Sequence, residues 1–567
     1  AAMVDEKTPS GTKKVLTVFH SHALYGLSYI YPDVPGAAWV DIKTGFENVP
    51  TLSYADEIAD IAVLPSMNAD GTLKEEVYLT QSFLPRLYRL DWERKAGVLI
   101  AKGTEAADTW DGLTACGNNL AFMSMDGLIV YNPQTFSVVS PTAGTDKIKK
   151  LLADTADIPR CGMFPSWMTG LNAPLMLNEL WLTRPSTVQS AYADKIRAKR
   201  SLYVPAGQVV SKAGVDKFAG IIDANNLNSL VIDMKDDYGF LRYRSNDPLV
   251  SEKARESMYS IDIDAFIDRF KKKNIYLIAR IVVFKDRNLY AWKGNKYAVW
   301  DGKKNAPWIG IKGYEDVPAE DGKAAEKKTL FYDEYWVDPY SEEVWEYNTA
   351  IAKELIRRGF DEIQFDYIRF PTDGKNIFDT QYRWRDKGMD MESALISFLS
   401  YARKNIQAPI GIDIYGANGW YRSGTRTGQD VELMAPYVDV ICPMFYPSHF
   451  EQDFLAYTPI IERPYRIYFY GTYRNTVIAR SQVLVRPWIQ AFYLNVSFDR
   501  RFYDKDYVLR QMYGVRDATE SGYMYWNNAG RYTDISPDIG DAKNGSAYPW
   551  EKAERDKSAR KPAVSGG

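Results

Sequence analysis

The chain has 567 residues, and its 70 Lys and Arg stand against 73 Asp and Glu for a net charge of −3. That balance excludes a protein built to grip nucleic acid or an anionic membrane surface, and the length predicts two or more domains. Hydrophobic residues at 46% are ample for large cores, so disordered, collagen-like and disulfide-scaffold classes are excluded as well.

The chain begins with Ala1-Ala2-Met3, which lacks the apolar core of a signal peptide; an export signal is expected to have been trimmed. Between about 15 and 190, short apolar runs are separated by Gly, Asp, Asn and Pro: Val15–Phe19, Glu76–Thr80, Leu87–Asp91, Val98–Ala101, Leu120–Met123 and Leu128–Tyr131. Gly127 after Asp126 and the pair Asn132-Pro133 are turn signals. This grammar predicts an all-β accessory domain over 15–190, a sandwich or a set of propeller-like blades, with no catalytic constellation of its own. The three cysteines, Cys116, Cys161 and Cys442, show no metal-ligand spacing. An odd count prevents all three pairing within the chain; Cys116 with Cys161 is a candidate bridge in an oxidising compartment, and Cys442 reads as a buried free thiol. No apolar stretch reaches the ~18 residues of a membrane helix.

From about 196 the pattern changes to strand–helix alternation. Eight runs read as strands: Leu202–Pro205, Leu230–Met234, Ile275–Phe284, Glu362–Ile368, Ile410–Tyr415, Val438–Tyr446, Val483–Tyr493 and Tyr523–Trp526. Helical stripes lie between them, for example Val344, Tyr347, Ile351 and Leu355 with Gly359 as the stop. Leu395, Leu399, Ala402 and Ile406 form another, and Val508, Met512 and Val515 a third. Eight strands alternating with helices predict a (β/α)8 TIM barrel over 196–550. A doubly wound sheet is the competing arrangement, but Pro205-Ala206-Gly207 stands where its glycine-rich phosphate turn belongs. A large insertion after strand three, about Lys285 to Tyr340, carries Trp292, Trp300, Trp308 and Trp336 on the face where such barrels build their sites.

In a barrel strand alternate residues point inward. The polar candidates are Asp233 and Lys235 on strand two, Arg280 on strand three, Asp366 at the end of strand four, Asp413 and Tyr415 on strand five, and Gln490 and Trp526 on strands seven and eight. Carboxylates flanked by apolar residues must be paired or functional, because burying a lone charge is costly. An inert ion-pair network with Arg280 is one outcome. The other is a pair of acting carboxyls: glycosidases hold two of them about 5–9.5 Å apart, and Asp366 and Asp413 end neighbouring strands.

The run Gly359-Phe360-Asp361-Glu362-Ile363-Gln364-Phe365-Asp366-Tyr367-Ile368-Arg369-Phe370-Pro371 resembles the fourth-strand motif of a bacterial glycoside hydrolase domain family, a distant relative of the α-amylase superfamily of barrels. Val231–Asp237, Gly411–Gly416 and Val440–Pro447 resemble the same family, in order, across roughly 200–530. The resemblance implies a barrel glycosidase with Asp366 as nucleophile and Asp413 as acid/base, and a small subdomain inserted after strand three. Asp413 departs from the amylase pattern, which commonly has Glu there. Chitinase-like barrels carry an acid where Ile368 stands, and a strand-seven catalytic Glu would have to lie near Gln490; neither is present.

The expected function is hydrolysis of a polysaccharide or oligosaccharide, with retention implied by the amylase likeness; the alternative is a non-catalytic carbohydrate-binding protein on a degenerate barrel. A phosphate-handling barrel lacks its glycine-rich loop, with only Gly530 available. Substrate contacts are expected from Asp233, Lys235, Arg280, Arg369, Tyr415, Tyr446, His449, Gln490 and Trp526, and from the loop tryptophans Trp292, Trp336 and Trp420. Arg422 and Arg426 flank the same loop. The acidic stretch Glu315-Asp316 and Glu320-Asp321 fits no calcium-loop pattern, and no metal or cofactor is expected. The expected partner is a carbohydrate, with no nucleic acid and no membrane span, and the expected location is secreted, periplasmic or cell-surface.

Overall fold

The computed structural model describes residues 1–141 and 190–537, less short stretches within them (10, 23–25, 43–57, 68–70, 82–84, 104–109, 125–126, 318–325, 421–426, 457–458 and 480–482), together with 565–566. Cys161, Arg422, Arg426, Glu320 and Asp321 lie outside the described residues, and with Cys161 so does the Cys116–Cys161 bridge.

The described elements of the first 141 residues are all strands. Ala2–Thr8, Gly11–His22, Gly26–Ile30 and Val40–Ile42 form one antiparallel sheet in chain order. Ile58–Met67, Leu73–Gln81, Arg86–Asp91 and Ala96–Lys102 form a second, and Asp111–Cys116, Asn119–Ser124, Gly127–Asn132 and Ser137–Pro141 a third. The turn foreseen at Asn132-Pro133 is held by the Asn132 side chain, whose Oδ1 accepts from the backbone N–H of Gln134 and Thr135, both at 2.9 Å. Such side-chain capture of the backbone is why Asn starts turns.

Beyond residue 190 nine strands pair in parallel and curl into one sheet, while the segment after its third strand carries small antiparallel pairs such as Ile311–Val317 with Glu326–Phe331. The nine are β1 (Lys199–Val204), β2 (Ser229–Lys235), β3 (Tyr276–Val282), β4 (Glu362–Asp366), β5 (Ile410–Tyr415), β6 (Val440–Met444), β7 (Leu484–Val485), β8 (Trp488–Gln490) and β9 (Gly522–Trp526). The spatial order is β7-β6-β5-β4-β3-β2-β1-β9-β8. Its two ends, β7 and β8, are separated in the chain only by Arg486 and Pro487. Helices α1 (Lys212–Ala224), α2 (Ile263–Lys271), α3 (Glu342–Arg358), α4 (Met391–Asn405), α5 (Arg463–Ile478) and α6 (Tyr507–Ala518) connect them.

Period-two alternation sorts the strand side chains. Ile232, Ala279, Ile363, Phe365, Ile412 and Ile414 pack outward with the helices, whereas Tyr203, Val231, Ile278, Val440, Cys442, Trp488 and Met524 form a separate inner cluster. The polar inner residues stack in layers. Lowest is a fully buried pair, Arg486 Nη1 to Glu362 Oε1 at 2.9 Å, with the Tyr276 hydroxyl donating to Glu362 Oε2 at 3.0 Å. Above it Gln364 Nε2 faces Cys442 Sγ at 3.1 Å; Cys442 is a buried free thiol. The topmost layer holds Asp233, Arg280, Asp366 and Asp413.

Helix α3 realises the predicted stripe: Val344, Tyr347, Ile351 and Leu355 are all buried. Glu342 and Glu343 in its first turn and Arg357 and Arg358 in its last match the helix dipole. Gly359 ends it at φ +120°, donating its N–H to Leu355 and Ile356 carbonyls, and a Cβ there would sit 3.1 Å from Ile267 Cγ2. Gly359→Ala is therefore expected to cost about 1–2 kcal/mol, read as a lowered thermal midpoint; an unchanged midpoint would contradict this account of the turn. Among the described residues no helix is long and apolar enough to cross a membrane.

Candidate active site

Arg280, at the centre of the fully buried strand β3, is the hub of the top layer. Its Nη1 donates to Asp233 Oδ1 at 2.5 Å, its Nη2 to Asp366 Oδ2, and its Nε to Asp413 Oδ2 at 3.3 Å. Burial opposes the charge on Arg280, but the carboxylates of Asp233, Asp366 and Asp413 outweigh it and hold the guanidinium pKa well above its ordinary value. The ladder places the partners: Asp233 is in register with Arg280, and Asp366 stands one inward position beyond Gln364, the β4 partner of Arg280, so the long guanidinium side chain spans the step between them.

The acids differ in their surroundings. Asp413 is 1% exposed, and its other oxygen accepts from Trp488 Nε1 at 2.7 Å. Burial, followed by the nearby Asp366 charge, pushes its pKa well above the usual carboxylate range despite Arg280 and Trp488, which both favour the ionised form. Asp366 Oδ1 accepts from the backbone N–H of Tyr367 at 2.5 Å. Tyr367 sits at φ +51°, a left-handed conformation rare for a bulky residue and typical of functional turns. Asp233 accepts from the Tyr203 hydroxyl at 2.6 Å.

Arg280, Asp366, Asp413 and Trp488 floor a cavity of about 430 Å³ whose walls include Tyr367, Tyr415, Tyr446, His449, Phe450 and Trp526. Trp526 lies against Tyr203 with ring centroids 4.0 Å apart and under Arg280 at 5.2 Å. Gln429 fixes the end of β5: its Nε2 donates to the Asp413 carbonyl and its Oε1 accepts from Tyr415 N–H, both at 3.1 Å. His449 is held by Ser448 Oγ at 3.1 Å, and burial lowers its pKa.

Residues 201–532, more than half of the chain, match the family described as "Putative glycosyl hydrolase domain". The chain belongs to this family. No curated protein matches. Among solved structures, a hypothetical protein from Ruminiclostridium thermocellum is 28% identical, covering 37% of this chain and 96% of that one, with a TM-score of 0.31. The PgaB (BpsB) glycoside hydrolase domain from Bordetella bronchiseptica is 10% identical, covering 59% and 94%, at 0.39. The alpha-galactosidase from Thermus thermophilus is 11% identical, covering 98% and 91%, at 0.41.

Within this glycosyl hydrolase-family domain, the structure brings Arg280, Asp366, Asp413, Arg369, Tyr415, Tyr446, His449 and Trp526 together around the cavity. Asp233 lies behind them, on Arg280 and Tyr203. Other expected contacts are corrected. The β2–β3 register slips between Asp233 and Lys235, which turns Lys235 to the outer face of the sheet. There its fully buried Nζ pairs with Asp286 at 2.8 Å and donates to Asn348 at 3.0 Å. Gln490 is fully buried; its Oε1 accepts from Ser448 and its Nε2 donates to the Phe492 carbonyl.

The tryptophans also move from platform to packing. Trp420 is 1% exposed, edge-on to Phe445, Phe450 and Phe454. Trp336 is equally buried, with Arg369 over its ring. Trp292 stacks on Tyr297 at 5.4 Å, away from the cavity. Conversely, Gln429 lines the cavity without having been expected there, and Trp488, read from the sequence as an inward residue of strand seven but not as a substrate contact, lines it too. Gln429 sits in a loop and had no such signal.

Proposed function

We propose that residues 196–550 form a (β/α)8 barrel glycoside hydrolase, preceded by the all-β accessory region over 15–190, and that it cleaves polysaccharide or oligosaccharide with retention. Asp366 acts as nucleophile and Asp413 as acid/base. The family membership supports the class. The observation that carries the residue roles is two carboxylates touching different nitrogens of one guanidinium at the floor of an aromatic-walled cavity. A buried carboxyl with a raised pKa is suited to proton donation near neutral pH, which fits Asp413. In the first step Asp366 bonds to the anomeric carbon while Asp413 gives its proton to the departing oxygen. In the second, Asp413 takes a proton from water, whose oxygen displaces Asp366.

Trp488→Phe removes a hydrogen bond to the ionised form of Asp413, so the Asp413 pKa rises further. The basic limb of the pH–rate profile is expected to move to higher pH; a limb fixed in place would contradict the acid role. The simultaneous hold of Arg280 on three acids favours a second reading, a non-catalytic carbohydrate-binding protein. Assaying reducing ends across a polysaccharide panel separates the two: release by wild type supports hydrolysis, and glycan binding without release supports the second reading. The proposal includes a secreted, periplasmic or cell-surface location, where polymeric glycans are met; fractionation of the host cells tests it.

A further inference from the structure

Two arginines line the cavity, and they are used differently. Arg280 is saturated by three carboxylates. Arg369 is 8% exposed, and its hydrogen bonds run from Nη1 alone, to the Phe370 carbonyl at 3.1 Å and Thr372 Oγ1 at 3.4 Å. Among the described residues no carboxylate stands within ion-pair distance of it. Its guanidinium instead lies against three rings, with centroids of Trp336 at 4.7 Å, Tyr415 at 5.0 Å and Tyr367 at 5.2 Å. Aromatic faces attract a cation without accepting its hydrogen bonds in the plane of the fork. The edge formed by Nε and Nη2 is left without a protein acceptor among the described residues. Lys285, beside the same Tyr367 ring, shows the contrast: Asp237 and Glu334 both reach it at 3.2 Å.

A mostly buried charge without a counter-ion is unfavourable, and the fork of an arginine matches two oxygens of one oxyanion side by side. We propose that Arg369 is an anion subsite, and that the glycan taken by this cavity carries a carboxylate or sulfate on the ring lying between Tyr415 and Trp526. Arg369 follows Asp366 by three positions, on the turn set by Tyr367, so the anion is read next to the acting carboxylates. The inference rests on the carbohydrate reading of this cavity and narrows it to acidic glycans.

The test uses matched polymers. Polygalacturonate, alginate and glucuronic-acid-containing xylan are compared with the same polymers after chemical reduction of their carboxyl groups, which removes charge and keeps linkage; chondroitin sulfate and its desulfated form are the second arm. Binding of oligomers is read by calorimetry on the full chain, and hydrolysis separately by reducing ends. At least one acidic form is expected to bind ten-fold or more tighter than its neutral counterpart. Arg369→Gln is expected to abolish that difference, read in Kd, and Arg369→Lys to restore part of it. A uronate response assigns the anion as carboxylate, and a response confined to the sulfated arm as sulfate; either supports the subsite. Equal or tighter binding of the neutral forms, or no binding of any acidic form, overturns it. Hydrolysis of neutral glycans alone would overturn the subsite and keep the hydrolase reading. Arg369-dependent binding of acidic glycans without hydrolysis would do the reverse. Should Arg369→Gln fail to fold, the wild-type comparison and Arg369→Lys still decide.

Discussion

Replacing Asp366 with Asn is expected to lower turnover by a factor on the order of 10⁴ or more, because in the proposed mechanism its carboxylate forms the bond to the anomeric carbon. Replacing Asp413 with Asn is expected to cost less, on the order of 10²–10⁴, and the loss should depend on the leaving group. A substrate whose departing group needs no proton recovers much of its rate in Asp413→Asn and none in Asp366→Asn. The pH profiles should also differ. With its pKa raised by burial and by Asp366, Asp413 keeps its proton above the usual carboxylate range, so wild-type activity falls as pH rises through that value. The limb disappears in Asp413→Asn. Full activity in both variants would remove these residues from the chemistry.

The second large effect concerns Arg280. Arg280→Met leaves Asp233, Asp366 and Asp413 facing one another without their shared cation. Breaking a buried pair by deleting one partner costs about 3–5 kcal/mol, chiefly because charge is left uncompensated. The sign with pH follows. Asp413, already raised by burial and by Asp366, loses the guanidinium that favours its ionised form and is pushed up further, so the folded variant binds more protons than the unfolded chain. Its stability is then lost as pH rises through that raised value. Thermal midpoints should differ from wild type most at pH 8 and least at pH 4.5. An equal deficit at both would mean that Arg280 acts through packing, including its position over Trp526, instead of through charge.

The sheet was legible because its strands are buried on both faces, so they read as apolar runs interrupted by single inward polar residues. Ile232-Asp233-Met234 and Ile412-Asp413-Ile414 are such runs, and all eight predicted runs overlap observed strands. Residues set by that alternation, Arg280, Asp366, Asp413 and Trp526, stand where it places them, facing the cavity. Lys235 was misplaced because one slipped residue in β2 reverses every facing after it, and no residue type announces such a slip.

The tryptophans of the long segment after β3 were misread for a different reason. A large indole serves a sugar platform and a small core equally well, and here the core prevails. Trp308 is 1% exposed with its Nε1–H donating to the Asn376 carbonyl at 3.0 Å, whereas Trp300 is half-buried with Arg383 over its ring at 4.0 Å. The aromatic surplus of the chain is thus largely packing, and the rings that reach the cavity come mainly from strand ends and the turns after them.

The most direct measurement is a crystal structure of the Asp366→Asn protein with a bound oligosaccharide drawn from the polymer that wild type cleaves. The account predicts a ring over Trp526, its anomeric carbon facing residue 366 and its glycosidic oxygen within hydrogen-bond reach of Asp413. An oligosaccharide seated elsewhere on the molecule, with neither carboxyl position against a glycosidic bond, would contradict it.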